Sequence, residues 1–178
     1  MKDEQKGLIH IYCGDGKGKS TAAFGLAIRC AGYGQKVLVL QFLKGWDSGE
    51  LRTAERLPEI HLLRGDASNK FVFQMDGAEK DAVRQKHNEI LKEALELLLE
   101  GGYRMLVLDE IMSAWELELL DRDLVLRLLH DRPENVEVVM TGRNPPDELT
   151  ALADYISEIR KVRHPYDRGI GARKYVEF

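Results

Sequence analysis

The sequence predicts an α/β fold with a mainly parallel, doubly wound sheet, and three observations favour this class. Short apolar runs alternate with amphipathic helical segments along the 178 residues. The runs at residues 37–42, 105–108 and 136–140 are almost continuously apolar, which is typical of parallel strands that helices cover on both faces. Polar residues follow these runs, at the strand ends where such sheets bind ligands. At this length we expect one domain, residues 1–178.

The first half of the chain alternates as this fold requires. Residues 8–12 form a short β-type run that stops at a glycine-rich stretch, and residues 21–29 then have helical spacing. A second strand is expected at 37–42 and a weaker third strand at 60–63. Residues 64–77 have no clear period, so we expect an irregular segment there.

The second half repeats the alternation. Apolar residues recur at helical spacing between residues 81 and 99, and the glycine pair that follows is a stop signal. The remaining elements are expected in this order: a strand at 105–108, a helix at 124–129, a strand at 136–140, a helix at 147–153 and a closing segment at 156–162.

The composition is that of a globular protein. Hydrophobic residues make up 44% and charged residues 31%, with a mean hydropathy of −0.33, which excludes disordered, collagen-like and disulfide-stapled chains. The net charge of −4 and the pI near 5.8 give no overall basic field for nucleic acid, and two cysteines suit a reducing compartment. No apolar run approaches the ~20 residues of a membrane span, and the amino terminus has no apolar signal core. We therefore expect a cytoplasmic protein without a membrane or nucleic-acid partner.

A glycine- and lysine-rich loop between the first strand and the first helix carries the strongest chemical signal. Glycine amides can surround phosphate oxygens, the helix N-terminus adds partial positive charge, Lys19 would supply a point charge and the Ser20 hydroxyl would bind Mg²⁺. The expected ATP-binding residues are Gly14, Asp15, Gly16, Lys17, Gly18, Lys19, Ser20 and Thr21. Cys13 stands where the full motif has glycine, and the alternative interpretation is a merely flexible turn. The context predicts a P-loop NTPase-like three-layer fold.

Two further strand ends carry charged residues. Asp109 and Glu110 follow an apolar run, and carboxylates in this position can hold Mg²⁺ or Mn²⁺ directly or through water. Together with Ser20 they form the predicted metal site. The alternative is an acidic pair that caps the next helix. Arg143 follows the next strand, where it would either clamp phosphate or stand in an exposed loop.

Five segments occur in the same order as in a known enzyme family. They are Gly14–Gly25, Gln41–Gly45, Val107–Glu110, Thr141–Arg143 and His164–Arg173. Together they resemble the ATP:corrinoid adenosyltransferases of cobalamin synthesis and salvage, and the resemblance spans nearly the whole chain. It implies transfer of the 5′-deoxyadenosyl group of ATP to the cobalt of a reduced corrinoid, with release of triphosphate. It also implies a flavoprotein-type reductant as partner and a homodimer.

The resemblance assigns roles to individual residues. A Co(I) nucleophile needs no general base, so the catalytic residues are those that stabilise the leaving triphosphate, Lys19, Glu110 and Arg143. Phe71 and Phe73 are the nearest match to an aromatic pair with which the family approaches the corrin, although the tryptophan of that pair is replaced here. Only about seven residues precede the first strand, so we expect the family's N-terminal lid to be missing.

Two other functions remain open at this point. A P-loop ATPase or kinase acting at the γ-phosphate would use Glu110 to orient water or an acceptor hydroxyl. A nucleotide-gated binding module would carry corrinoid or RNA on the basic residues between 160 and 174, although such a charge run is usually a solvated face.

Overall fold

Six parallel strands form one sheet in the computed structural model, which describes residues 6–45, 48–65, 70 and 72–177. The strands are β1 (Ile9–Cys13), β2 (Lys36–Gln41), β3 (Ile60–Arg64), β4 (Tyr103–Asp109), β5 (Glu137–Thr141) and β6 (Tyr155–Glu158). The helices are α1 (Lys19–Gly32), α2 (Gly49–Ala54), α3 (Gly77–Glu100), α4 (Ile111–Glu116), α5 (Arg122–Asp131) and α6 (Asp147–Thr150). The order across the sheet is β3-β2-β4-β5-β1-β6. The predicted α/β class is confirmed.

Both faces of the sheet are covered, which explains the nearly continuous apolar runs. In β2, Leu38 and Leu40 belong to a buried cluster with residues of α3, α4 and α5, whereas Val37 and Val39 pack in a second cluster with residues of α1 and α2. Successive side chains of a strand point to opposite faces, so a strand between two helical layers needs apolar residues on both. Within the described part of the chain, no helix has the length and apolar character that a membrane span requires.

Three helices, α1, α3 and α5, begin earlier than the sequence pattern predicted, and the starts of α1 and α3 have local causes. α1 begins at Lys19, directly after Gly18, whose φ of 115° lies in the left-handed region that favours glycine. α3 begins at Gly77, because Asp76 and Glu79 form a capping box. The Glu79 amide donates to the Asp76 carboxylate at 2.8 Å, and the Asp76 amide donates to the Glu79 carboxylate at 3.0 Å.

Short elements account for the other differences from the predicted pattern. α2 and α4 have six residues each, too few to show a helical period in the sequence, and neither was expected. The irregular segment contains a 3₁₀ turn at Val72–Gln74. The last helix ends at Thr150, and the closing segment forms the exposed strand β6.

The strand order places several strand ends side by side at one edge of the sheet. Gln41 at the end of β2 pairs with Asp109 at the end of β4. Thr141 at the end of β5 pairs with Tyr12 in β1, and β4 and β5 are themselves neighbours. The loop after β1 therefore shares one edge with Thr141, Asp109 and Gln41, which is where a doubly wound sheet binds its ligand.

Candidate functional site

The loop after β1 is anchored by two of its glycines to the residues that follow β5 and β6. The Gly14 amide donates to the Arg143 carbonyl at 3.0 Å, and the Gly16 amide donates to the Ile159 carbonyl at 2.7 Å. Gly14 has a φ of 101°, and a Cβ atom added there would lie 2.5 Å from the Ile159 oxygen. This position therefore requires glycine for both conformation and space. The amides of Gly14 and Gly16 hold the loop in place.

The rest of the loop presents backbone amides that have no acceptor among the described residues. They belong to Lys17, Gly18, Lys19, Ser20 and Thr21, and the last three are also the first residues of α1. The first amides of a helix have no partner within the helix, and the helix dipole adds positive potential at the same point. An anion such as phosphate is the natural acceptor for this group of donors.

Lys19 lies at the centre of the charged groups of the site. Its ammonium donates to the Gly16 carbonyl at 2.8 Å, which turns the side chain back over the loop. Partial burial lowers the pKa of the Lys19 ammonium, and the positive charge of Arg143 acts in the same direction. The carboxylates of Glu110 and Asp15 act in the opposite direction. Lys19 is thus close enough to the predicted catalytic residues Glu110 and Arg143 for both charges to act on its ammonium.

Asp109 is fully buried, and its carboxylate is held on both oxygens. The Thr141 hydroxyl donates to Oδ1 at 2.8 Å. The Lys44 ammonium donates to Oδ2 at 2.6 Å, and the Gln41 amide nitrogen lies 3.4 Å from the same oxygen. A buried carboxylate needs such partners because transfer of an unpaired charge out of water is costly.

Glu110 adopts a backbone conformation that is unusual for its residue type. Its φ of 62° lies in the left-handed region, and its amide donates to the Thr141 hydroxyl oxygen at 2.9 Å. The Glu110 carboxylate accepts a hydrogen bond from the Ser113 hydroxyl at 2.9 Å and makes no hydrogen bond that caps the backbone of α4. The geometry therefore gives no support to the alternative in which this carboxylate caps the next helix.

Three residues of the site were missed in the sequence analysis. Lys44 contacts both Asp109 and the Ser20 hydroxyl, Thr141 contacts both Asp109 and Glu110, and Gln41 contacts Asp109. All three residues lie in the segments Gln41–Gly45 and Thr141–Arg143, which carry the family resemblance. Their position in these segments was the one signal in the sequence that could have identified them. The contacts themselves join distant parts of the chain and leave no local pattern.

Three side chains at this edge of the sheet carry oxygen atoms that are chemically suited to a divalent cation such as Mg²⁺. They are the Ser20 hydroxyl and the carboxylates of Asp109 and Glu110. The amide oxygen of Gln41 is buried and has no hydrogen-bond donor among the described residues, so it is a further unsatisfied acceptor at this edge. Among those residues no group of three or more His, Cys, Asp or Glu side chains could ligate a metal. A metal at this edge would take further ligands from phosphate or water.

Two loop side chains contact the C-terminal segment. The Asp15 carboxylate accepts the Lys161 amide at 2.9 Å, which lowers the pKa of the Asp15 carboxyl group. The Lys17 ammonium lies 3.1 Å from the carboxylate of Glu177. Hydrogen bonds, first of all from the Arg173 side chain, lower the pKa of Glu177 to about 2. Asp15 and Lys17, both predicted to bind ATP, thus connect the loop to the tail in this structure.

Arg143 and Phe73 are exposed, each at a different place. The Arg143 guanidinium has no hydrogen-bond or ion-pair partner among the described residues, and it lines an open cleft of about 800 Å³ together with Gly14 and Lys161. Phe73 lies in the 3₁₀ turn before α3 with 82% of its surface exposed. Phe71, the other predicted corrin-binding residue, lies outside the described residues.

A parallel sheet, a glycine-rich loop that leads into a helix and an acidic strand end beside it define an α/β protein of the P-loop NTPase-like class. Within this class, residues 5–178 match the family model described as ATP:corrinoid adenosyltransferase BtuR/CobO/CobP. The chain therefore belongs to the ATP:corrinoid adenosyltransferase family, and the predicted family is confirmed.

Similar curated proteins cover almost the whole chain. A corrinoid adenosyltransferase of Escherichia coli strain K12 is 33% identical over 177 residues, which are 98% of this chain and 87% of that protein. One of Pseudomonas aeruginosa is 35% identical over 179 residues, with 98% and 85% covered. One of a Sinorhizobium species is 36% identical over 186 residues, with 99% and 83% covered.

Proposed function

We propose that this protein transfers the 5′-deoxyadenosyl group of ATP to the cobalt of a reduced corrinoid. In this reaction the Co(I) electron pair attacks C5′, the Co–C bond forms and the C5′–O bond breaks. The bonding pair of the C5′–O bond leaves with the triphosphate, and cobalt ends as Co(III). Family membership along nearly the whole chain supports this reaction over hydrolysis at the γ-phosphate.

The observation that carries the proposal is the group of donors at the end of β1. Five backbone amides that have no acceptor among the described residues lie together with the Lys19 ammonium at one sheet edge. Triphosphate gains negative charge as the C5′–O bond breaks, and donors fixed in advance stabilise that charge without reorganisation. We assign ATP to residues 14–21, with Lys19, Glu110 and Arg143 as the catalytic residues.

The donor set fits Mg²⁺ or Mn²⁺. Ser20, Asp109 and Glu110 would hold the ion, directly or through water. The Asp109 carboxylate also contacts Lys44, Thr141 and Gln41. When bound, the ion supplies positive charge to the triphosphate oxygens. Lys19 adds charge from the loop, and Arg143 adds charge from the rim of the cleft.

The remaining features of the proposal concern the setting of the enzyme. We propose that residues 1–178 form one adenosyltransferase domain that acts in the cytoplasm as a homodimer. A flavoprotein-type reductant would deliver the electron that produces Co(I). The ion pairs within the tail, Arg160 with Glu158 and Lys161 with Asp167, favour a folded tail over an RNA-binding patch.

Product analysis tests the reaction. The protein is incubated with ATP, Mg²⁺ and chemically reduced corrinoid, and phosphate products and the corrinoid spectrum are followed. Adenosyl transfer yields intact triphosphate and a light-sensitive Co–C product in equal amounts. Orthophosphate released without corrinoid would instead establish the ATPase, and nucleotide binding without any product would establish the binding module.

We assign Phe73 to the corrin side of the reaction. An aromatic ring that covers the lower face of the corrin excludes the axial base and water, and cobalt with fewer donors is easier to reduce to Co(I). Phe73→Ala should therefore slow adenosylation that starts from Co(II) with a biological reductant and leave the reaction from prereduced Co(I) nearly unchanged. Because Phe73 as a residue is 82% exposed, the variant should remain folded. Equal losses in both assays would refute this role, and Phe73→Trp serves as the active control.

A further inference from the structure

Lys44 lies between two oxygen atoms of the proposed metal site. Its ammonium is 2.6 Å from Asp109 Oδ2 and 3.1 Å from Ser20 Oγ. These contacts connect the loop after β2 with the end of β4 and with the first turn of α1. None of the roles assigned above uses this side chain.

The backbone that carries Lys44 is held in place from several elements. The preceding residue, Leu43, has a φ of 59°, a left-handed conformation that costs about 1 kcal/mol for a residue with a Cβ atom. Its amide donates to Nε2 of the buried His87 at 3.4 Å. The Arg64 guanidinium donates to the Lys44 carbonyl at 2.5 Å. These contacts fix the turn that brings Lys44 over the site.

The tautomer of His87 follows from its two partners. Nδ1 lies 2.7 Å from the Leu119 carbonyl, which can only accept a hydrogen bond, so Nδ1 carries the proton. Nε2 then has the free electron pair that the Leu43 amide requires. Burial lowers the pKa of His87, which favours this neutral form. A neutral histidine in the core thus supports the turn that carries the lysine.

Charge explains why a lysine is needed at this point. The Asp109 carboxylate is fully buried, whereas the Lys44 side chain keeps 22% of its surface exposed. Among the described residues Lys44 is the cation at ion-pair distance from Asp109. Without it, the buried carboxylate would keep the neutral donors Thr141 and Gln41 as its hydrogen-bond partners in the described part of the chain, and burial of an unpaired charge is costly.

We propose that the Lys44 ammonium binds the Ser20 and Asp109 oxygens in the place that a divalent cation takes when the metal is bound. The ammonium neutralises Asp109 while no metal is bound, and it gives up these oxygens when a divalent cation enters. An ammonium and a divalent cation repel each other at this distance, so a metal alone must displace Lys44 to reach the pair. Lys44 thereby weakens metal binding to the protein without nucleotide. The inference rests on the proposed function only for the position of the metal.

The test measures metal binding and thermal unfolding without ATP or corrinoid. Lys44→Met keeps the length of the side chain and removes its charge. The variant should bind Mn²⁺, measured by electron paramagnetic resonance of the free ion, at least tenfold more tightly than the wild type. Its Tm in EDTA should be lower, and MgCl₂ should raise that Tm by more than it raises the wild-type value. Lys86→Met is the matched control, because Lys86 pairs with Glu89 on the exposed face of α3.

A double variant distinguishes this role from a merely structural one. Lys44→Met combined with Asp109→Asn removes both charges. The Tm of this double variant in EDTA should exceed that of Lys44→Met. Its Mn²⁺ affinity should be at least tenfold lower than that of Lys44→Met. Unchanged Mn²⁺ affinity in Lys44→Met would overturn the inference, as would a double variant that binds Mn²⁺ as tightly as the single one. If Lys44→Met is insoluble without divalent ions, refolding in MgCl₂ must recover it, and failure to do so also overturns the inference. Neither result bears on adenosyl transfer, which the product analysis decides separately.

Discussion

Replacement of Thr141 by valine removes a hydroxyl that serves both acidic residues of the site. The hydroxyl donates to the buried Asp109 carboxylate at 2.8 Å and accepts the Glu110 amide at 2.9 Å. Valine has nearly the same shape, so the substitution deletes the two hydrogen bonds and opens no large cavity. We expect the variant to fold with lower stability and with Glu110 less firmly held.

The size of the effect follows from the two bonds. A hydrogen bond to a charged group contributes about 1.5 to 3 kcal/mol, and a buried amide left without an acceptor costs about 1 kcal/mol or more. Glu110 also has a φ of 62°, and the bond to Thr141 helps to offset the cost of that conformation. Together these terms predict that Thr141→Val lowers the free energy of unfolding by about 2 to 4 kcal/mol. Thr141→Ser keeps the hydroxyl and loses one methyl group, which costs about 1 kcal/mol.

Urea denaturation of the wild type and both variants measures the difference, and the adenosyl transfer assay is run on the same preparations. The valine variant should also lose about tenfold in transfer rate because Glu110 is no longer fixed, a cost of ~1.4 kcal/mol. The serine variant should stay within about threefold of the wild type. A valine variant as stable as the wild type, or a serine variant that is less stable than the valine variant, would show that the hydroxyl does not hold the site.

Three further substitutions test the site and its support. Lys19→Ala should raise the activation free energy of adenosyl transfer by about 3 to 4 kcal/mol, because it removes a charge directed at the leaving group. Activity within threefold of the wild type would contradict that role. Glu110→Gln should impair Mg²⁺-dependent turnover while the far-UV circular dichroism spectrum is retained, and unchanged Mg²⁺ dependence would argue against a ligand. For His87 the sign of the pH effect follows from burial: in the folded protein the pKa of His87 lies below 6.5, the ordinary value for a histidine. As the pH falls below 6.5 the unfolded chain binds a proton that the folded protein does not, so stability should fall by up to ~1.4 kcal/mol per pH unit. His87→Gln should abolish this component in urea titrations at several pH values.

The main strands could be predicted from the sequence because their signal is local. The runs at 37–42 and 105–108 are apolar on both faces, which only a covered parallel strand requires. The glycine-rich loop was also recognisable, since phosphate binding depends on residues that are adjacent in the chain. The short helices α2 and α4 could not be predicted, because one or two turns give too few residues for a period.

The supporting residues of the site could not be predicted for a different reason. Lys44 reaches Asp109 across 65 positions of the chain, and His87 holds the Leu43 amide across 44 positions. Such contacts depend on strand order, which no local pattern determines. His87 is buried in the core, and its function in holding the Leu43 turn becomes visible only with the fold.

The edge of the sheet that carries the site is assembled from parts of the chain that are far apart. The loop after Cys13, the turn after Gln41, Asp109 and Thr141 meet only when β1, β5, β4 and β2 are paired in order. Closure of such long loops opposes early formation of these contacts during folding. No fragment that lacks one of these strands can contain a complete site. The return of enzymatic activity during refolding would therefore report completion of the central sheet, whereas helical signal can return earlier through local contacts.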